Sequence, residues 1–598
     1  MSSINRSPHV LRKQRSLTIP RHFIVFDTET VQQVDSKGNI KQVFKLGWFC
    51  YYRTAYGKHK ESEQWYFMPD IQTMWDFIFN LKAPKERIWI IARNISFDFT
   101  VCKGWDFLHK AGYKLKFFHN NGVSCIITVK GKHNSLAFID SMNWFPESIE
   151  KTGLRLGIPK MKIDFDTCTY EYLSEYCRND VRIDLENLKE FIKFLTDNMV
   201  SKLCYTRAST AMSAYLFRHY YTPIYIHNNK EAIDLERASY KGGRCECFYI
   251  GDMGQGTYYT LDVNSLYPYC MQENKYPTKY IELVHKPSIN RLTRLLSGYS
   301  VVADVHIVTT EPAYAMKKDR TIFPVGEYDV TLCTPELKYA IEHNHIIYIK
   351  NMVVYEQADI FSSYVKHFYN MRNKFKANKQ SSYEILCKYL LNSLYGKFGQ
   401  KAENWKLIGQ APDEPDREEL CYNVESKHMR RIRYLLGQVF ELTSHGESYN
   451  SFPAISAHVT AFGRMYLYNL MRICGQGNYY YCDTDSLIVN EQGYKNLLPY
   501  IDSKELGKLK LEEQFNSLIL FGLKDYTTDK KTALKGIRKT AKQIADCTYQ
   551  QELWPSIKGL LKSDDCNTYI VKSMVKHLSR EYTKGTVINT GEVIPFAL

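Results

Sequence analysis

At 598 residues the chain exceeds what one hydrophobic core organises, and it should divide into about three to five folded units. An apolar share of 44% with 24% charged residues excludes an extensively disordered protein, and no apolar run reaches the ~18–20 residues that cross a bilayer. A net charge of +15 suits a partner of phosphate backbone, and sixteen cysteines without a CxxC pair read as reduced thiols of a soluble intracellular protein rather than a zinc ribbon.

Residues 1–21 hold Arg6, Arg12, Lys13, Arg15 and Arg21 and no acid, which fits a floppy basic tail or an organelle presequence; the tail is the expectation. HFIVFDTET (22–30) is an apolar, β-branched run ending in acids, so a buried strand should deliver Asp27 and Glu29 at its C-terminal end. IWIIA (88–92) repeats that pattern ahead of Asn94 and Asp98. Residues 169–199 carry Leu, Ile and Phe at threes and fours and predict a helix, so the first unit reads as α/β. Gly242–Gly243 in YKGGRCECFYI (240–250) punctuates the entry to a strand, and YYTLDVNSLYP (258–268) predicts another strand ending on an acid. A hairpin-rich, proline-dotted tract then runs to about 360. Residues 363–398 are helical and basic, residues 403–447 polar and turn-rich, and NYYYCDTDSLIV (478–489) is a hairpin with two acids at its tip.

Asp262 and the pair Asp483/Asp485 can meet only if their strands are neighbours in one sheet, and alternation along a strand puts Asp483 and Asp485 on one face. Nucleotidyl transfer needs such a cluster, because one Mg²⁺ lowers the pKa of a primer 3′-OH while a second neutralises the triphosphate and the leaving pyrophosphate. Asp262 and Asp485 are the expected metal ligands and Asp483 the supporting charge. Between them, KYLLNSLYGKFG places Lys388, Asn392 and Tyr395 at i, i+4 and i+7, one helical face opposite Leu390 and Leu394. A cation, an amide and an aromatic on one face suit a triphosphate and a base. Lys376 is the expected second phosphate contact, with Arg372 and Lys374 as competitors.

DVNSLYP, KYLLNSLYG and YCDTDS, in that order, resemble motifs A, B and C of family B DNA polymerases. The resemblance implies that Tyr267 lies under the sugar and rejects a 2′-OH, and it adds Val263, beside Asp262, to the metal and nucleotide contacts. It further implies that Lys524 and Tyr526 in LKDYT form the K-x-Y primer-strand motif. Tyr240, Gly242 and Gly243 match the YxGG element that coordinates the two activities of such enzymes.

Asp27 and Glu29, Asp98 in NISFDF and Asp180 in YCRND supply four carboxylates from three places, enough for a second two-metal site that hydrolyses a phosphodiester. Tyr176, one helical turn before Asp180, can orient the attacking water. The ordered pattern resembles the three motifs of DnaQ-like proofreading domains, which implies that Thr30, Asn94 and Phe97 touch a frayed single strand, Phe97 by stacking.

The fold class implied is α/β and α+β multidomain, an RNase H-like exonuclease domain followed by a right-hand polymerase. The spacing resembles the protein-primed branch of small bacteriophages, adenoviruses and linear plasmids, which carries two terminal-protein insertions. The expected boundaries are 1–203 for the exonuclease, 204–273 and 448–555 for the palm, 274–367 and 403–447 for the two insertions, 368–402 for the fingers and 556–598 for the thumb. The acidic run APDEPDREEL (411–420) and the basic HMRRIRY (428–434) either pair across a hairpin arm or form a solvated loop. Implied cofactors are two Mg²⁺ or Mn²⁺ per centre. Implied partners are template-primer DNA, dNTPs, a terminal protein and a single-stranded DNA-binding protein, for a monomer in the host-cell cytoplasm. The rival readings are a family B enzyme using a nucleic-acid primer or none, and a catalytically dead DNA-binding scaffold.

Overall fold

The computed structural model describes residues 6–36, 38–83, 86–122, 124–425 and 427–598. Its N-terminal unit is built on the strand His22–Val34, which pairs antiparallel with Ile40–Arg53 and parallel with Arg87–Ala92, itself parallel to Ser135–Asp140. The strand continues four residues beyond the expected 22–30, because Val31–Val34 complete a hairpin with Ile40–Val43. Alternation splits the strand between two cores: Ile24 and Phe26 face one, Phe23 and Val25 the other. The second core is closed by the helix Tyr170–Asp197, whose N-terminus is capped by the Thr169 hydroxyl accepting from the Tyr172 amide.

A seven-stranded antiparallel sheet forms the centre of the chain. Its order is Cys245–Cys247, Tyr479–Asp483, Ser486–Asn490, Gly251–Val263, Leu509–Gly522, Asp525–Thr528 and Thr532–Ala533. The helix Pro453–Cys474, almost entirely buried, packs behind it. The expected strand 258–268 stops at Val263: Ser265 turns into the left-handed region (φ 54°) and Leu266–Glu273 is helical. Residues 276–358 form a four-stranded sheet with helices Ile289–Leu295 and Thr334–Glu342. The helices Ser362–Ala377 and Ser381–Phe398 form an antiparallel pair on the main core.

The polar tract after them is a four-stranded antiparallel sheet ordered Lys401–Gln410, Gln438–Glu447, His428–Leu435, Arg417–Asn423. The acidic and basic runs do face each other: Glu418 lies opposite Arg433 in register and the two form a buried ion pair at 2.6 Å. This sheet leans on the N-terminal unit, where the Gln438 side chain accepts from the Leu115 amide at 2.7 Å.

Two expectations need correction. Thr548–Leu553 pairs with Tyr569–His577, so one hairpin spans the boundary expected at 555/556. Tyr569–Val571 also pairs with Ile40–Gln42, which joins the C-terminal strands to the N-terminal sheet in one ten-stranded ladder. From Arg6 onward the basic N-terminal segment is no floppy tail. Arg6, 7% exposed, donates to the carbonyls of Ser448, Ser451 and His227; His9–Val10 pairs with Tyr225–Ile226; and Leu11 is buried in the main core. Unpaired carbonyls and an apolar cleft offer this strap partners that composition alone does not reveal. No helix among the described residues is long and apolar enough to cross a membrane.

Candidate active sites

The N-terminal sheet and the helix Tyr170–Asp197 bring Asp27, Glu29, Asp98 and Asp180 into one cluster. Asp27 and Glu29 leave the central strand near its C-terminal half, and ligand atoms of both lie within 4.8 Å of each other and of the Cys177 thiol. Asp98, 2% exposed on the helix Ile95–Val101, accepts from the Thr28 amide at 3.0 Å and the Thr28 hydroxyl at 2.7 Å. Asp180 accepts from Lys160 Nζ at 2.6 Å, while its buried Oδ1 has no partner. Burial, then mutual repulsion, holds the Asp27 carboxyl well above its ordinary range and pushes Glu29 up to about 8. Burial also lifts Asp98 to about 7 against the bonds from Thr28, and raises Asp180 against the pull of Lys160. Converging hard oxygens, an orphaned carboxylate oxygen and excess negative charge suit Mg²⁺ or Mn²⁺.

Tyr176 lies beside this cluster with Lys160 Nζ 4.7 Å above its ring. The remaining expected contacts are placed unevenly. Asn94 is exposed in the left-handed region (φ 56°), and the Thr30 hydroxyl donates to Gln42 at 2.6 Å. Phe97 is half-buried, edge-on to Tyr569 at 5.0 Å with Trp554 at 6.0 Å, so its ring already has aromatic neighbours from the C-terminal hairpin. Sequence reading missed Thr28, Lys160 and Cys177. Only Cys177, three residues before Asp180 on the same helix, had a spacing that signalled it.

The central sheet makes the second cluster. Asp262 ends the strand Gly251–Val263, and the Val263 amide donates to the Asp485 carbonyl at 2.8 Å. Asp483 ends one hairpin strand, but Asp485 sits in the two-residue turn with Thr484 (φ 66°), so a tight turn rather than strand alternation brings them together. Burial and the charges of Asp485 and Glu512 push Asp262 up to about 7; burial, with Asp483 adding, pushes Asp485 up to about 6. Lys388 opposes both shifts, which puts its ammonium within electrostatic reach of the pair. Lys524 Nζ lies 3.3 Å from Asp483. These oxygens also fit a hard divalent cation.

Around this cluster Lys388 and Asn392 are exposed while Leu390 and Leu394 are buried, as the helical spacing predicts. Tyr395 turns inward on Tyr267, ring centroids 4.8 Å apart. Gly243 has no room for a Cβ, which would lie 2.8 Å from Thr484 Cγ2 and 2.9 Å from the Tyr267 hydroxyl. Tyr240 packs on Gly399, and Gly242 is open. Arg464, missed in the sequence, donates to the carbonyls of Lys241 and Gly242 at 2.9 and 3.0 Å and pairs with the buried Glu336. Arg372 is engaged by Glu384 at 3.6 Å, whereas Lys374 and Lys376 are exposed. Tyr526 lies 5.7 Å from Tyr481, ring to ring.

Residues 162–429 match the family model of DNA polymerase type B, organellar and viral. The chain is similar to a probable DNA polymerase of Neurospora intermedia (25% identity, 59% of this chain and 37% of that protein). It is likewise similar to the DNA-directed DNA polymerase of Enterobacteria phage PRD1 (26%, 54% of each) and the DNA polymerase of Bacillus phage M2 (23%, 67% and 69%). The chain spans under two-fifths of the length of the three fungal relatives from Neurospora, Podospora and Ascobolus. Its fold is similar to that of Phi29 DNA polymerase complexed with primer-template DNA and incoming nucleotide substrates, at TM-score 0.65 and 14% identity over 94% of this chain and all of that one.

Proposed function

We propose that the chain is a DNA-directed DNA polymerase with a 3′→5′ proofreading exonuclease, primed by a protein and displacing the strand ahead of it. The observation that carries this reading is the meeting of Asp262 with the Thr484–Asp485 turn, within electrostatic reach of Lys388 and of the Tyr267–Tyr395 pair. Divalent cations bound at each cluster would supply the activated oxygen nucleophile and the neutralising charge. The protein's own contribution is placement. Asp262 and Asp485 hold like charge where cations are wanted, Lys388 and Lys376 present ammonium groups to a triphosphate, and the rigid Tyr267 ring sets the space left for a sugar. At the N-terminal cluster Asp27, Glu29, Asp98 and Asp180 take the same part, with Tyr176 beside the position of a water.

On this reading residues 1–203 form the exonuclease, 204–273 and the stretch from 448 the palm, 368–402 the fingers, and the C-terminal part that includes the hairpin of Thr548–Leu553 with Tyr569–His577 the thumb. The insertions 274–367 and 403–447 face a terminal protein and the DNA. The test is template-dependent dNTP incorporation by the purified chain, with Asp485→Ala as control. The expected result is metal-dependent extension that Asp485→Ala abolishes, and equal incorporation by both proteins would overturn the assignment. Protein priming is tested on a linear template with the candidate terminal protein, where a covalently dNMP-labelled partner is expected. Replacing 403–447 by a short Gly/Ser linker should leave short primed templates active and collapse strand-displacing synthesis.

A further inference from the structure

A cavity of about 270 Å³ opens between the turn Gly522–Leu523, the loop carrying Lys535 and the C-terminal run 578–584, with Arg320 of the 274–367 insertion at its lip. Three cations from three distant stretches of chain, Arg320, Lys535 and Lys584, converge on it. Lys584 is 8% exposed, and its Nζ donates to the Cys245 carbonyl at 2.7 Å. Among the described residues Arg320 and Lys535 have no carboxylate partner. Two acids line the same cavity: Asp525, buried and held by Arg580 at 3.4 Å, and the exposed Glu581. Burial together with Arg320 and Lys584 holds the Lys535 ammonium below its ordinary range.

The cavity's position says which anion. Its wall residues Gly522, Leu523 and Asp525 flank Lys524, whose ammonium lies 3.3 Å from Asp483. Cys245, which receives the Lys584 bond, is the register partner of Asp483. The cavity is thus one strand away from the central acids, on the side of Lys524 and Tyr526. We propose that Arg320, Lys535 and Lys584 form a pocket for a backbone phosphate of the primer strand just behind its 3′ terminus. This rests on the polymerase reading and extends it, because it makes the 274–367 insertion a direct DNA contact through Arg320. A guanidinium and two ammonium groups around one cavity match a phosphodiester, which accepts charge-assisted hydrogen bonds from several directions.

The test uses the full chain and the double variant Arg320→Ala/Lys535→Ala, both changes at exposed positions. Primer-template affinity is measured without nucleotide across a salt series. The variant should bind more weakly, and the slope of log K against log salt should be shallower by about one for the phosphate lost. A scan placing one methylphosphonate at successive primer-strand positions should weaken the parent at one position behind the terminus and leave the variant indifferent there. Equal slopes for the two proteins, or a methylphosphonate profile unchanged by the substitutions, would overturn the pocket. Acylation of Lys535 should be blocked by primer-template and not by millimolar inorganic phosphate; equal protection by both would make this a free-anion site and overturn the primer assignment. A parent that binds primer-template with this signature yet adds no nucleotide would sink the polymerase reading and leave the pocket standing.

Discussion

The two carboxylate clusters face the same electrostatic problem and meet it differently. The N-terminal one is sunk into the protein. Four acids crowd a site in which Lys160 is paired directly with Asp180, and Glu29 is pushed up to about 8. The central one sits at a half-exposed hairpin turn, where solvent, Lys524 at 3.3 Å and the field of Lys388 share the compensation, and Asp485 is raised only to about 6. The deeper cluster therefore carries more protons when metal-free, and metal binding there must displace them. Burial makes each ligand worse on its own and the assembled site more dependent on its cation.

The largest test is reciprocal inactivation. Asp27→Ala with Asp98→Ala should lower 3′ trimming by roughly 10³-fold or more while matched-primer extension continues, and Asp262→Ala should do the reverse. If either variant lost both activities in gel assays, the clusters could not be independent centres.

A smaller effect separates the sites by their aromatic surroundings. Tyr267→Val removes the ring packed at a tilt against Tyr395 and should lower discrimination against ribonucleotides by roughly 10- to 100-fold, with trimming unaltered. Unchanged sugar selectivity in competition assays would place the gate on another side chain.

Lys160→Met probes the compensation itself. Without the ammonium at 2.6 Å from Asp180, protons should compete harder with metal, and the Mg²⁺ midpoint for trimming should rise roughly tenfold while that for extension stays put. A parental midpoint would show that Lys160 does not stabilise the charged cluster.

The smallest effect is on stability in EDTA. Native Glu29 (about 8) and Asp98 (about 7) hold protons that the unfolded chain releases near pH ~4, so between those limits the native state binds more protons. Stability must then fall as pH rises from about 5 to 8. The melting temperature should drop by a few degrees over that range, and Asp27→Ala/Asp98→Ala should flatten the profile. An equally steep profile in the variant would assign the pH dependence to other groups.

The strand-borne acids were legible in the sequence because a carboxylate that follows a buried strand run leaves a compact signature, apolar β-branched residues and then Asp or Glu, as in HFIVFDTET. The helical face of Lys388 and Asn392 was legible for the same local reason. Lys160 was not, since a loop lysine has no periodic relation to the acids it serves; packing of the helix Tyr170–Asp197 alone brings it to Asp180. Nor could local pattern show that Tyr569–Val571 would add to the sheet edge at Ile40–Gln42, or that Arg320 would share a cavity with Lys535 and Lys584. Such pairings depend on which edges and clefts remain open after each unit has folded.

The strap at the N-terminus fixes an order of events in biosynthesis. Arg6 finds its partners Ser448 and Ser451 442 and 445 residues further along the chain. At ~5–20 residues per second, roughly 20–90 s pass between their syntheses. For that interval Arg6 lacks two of its carbonyl partners, although Tyr225–Ile226 and His227 are already present to pair with His9–Val10 and Arg6. The Arg6 contacts to Ser448 and Ser451 thus form late, and they close a loop of over four hundred residues.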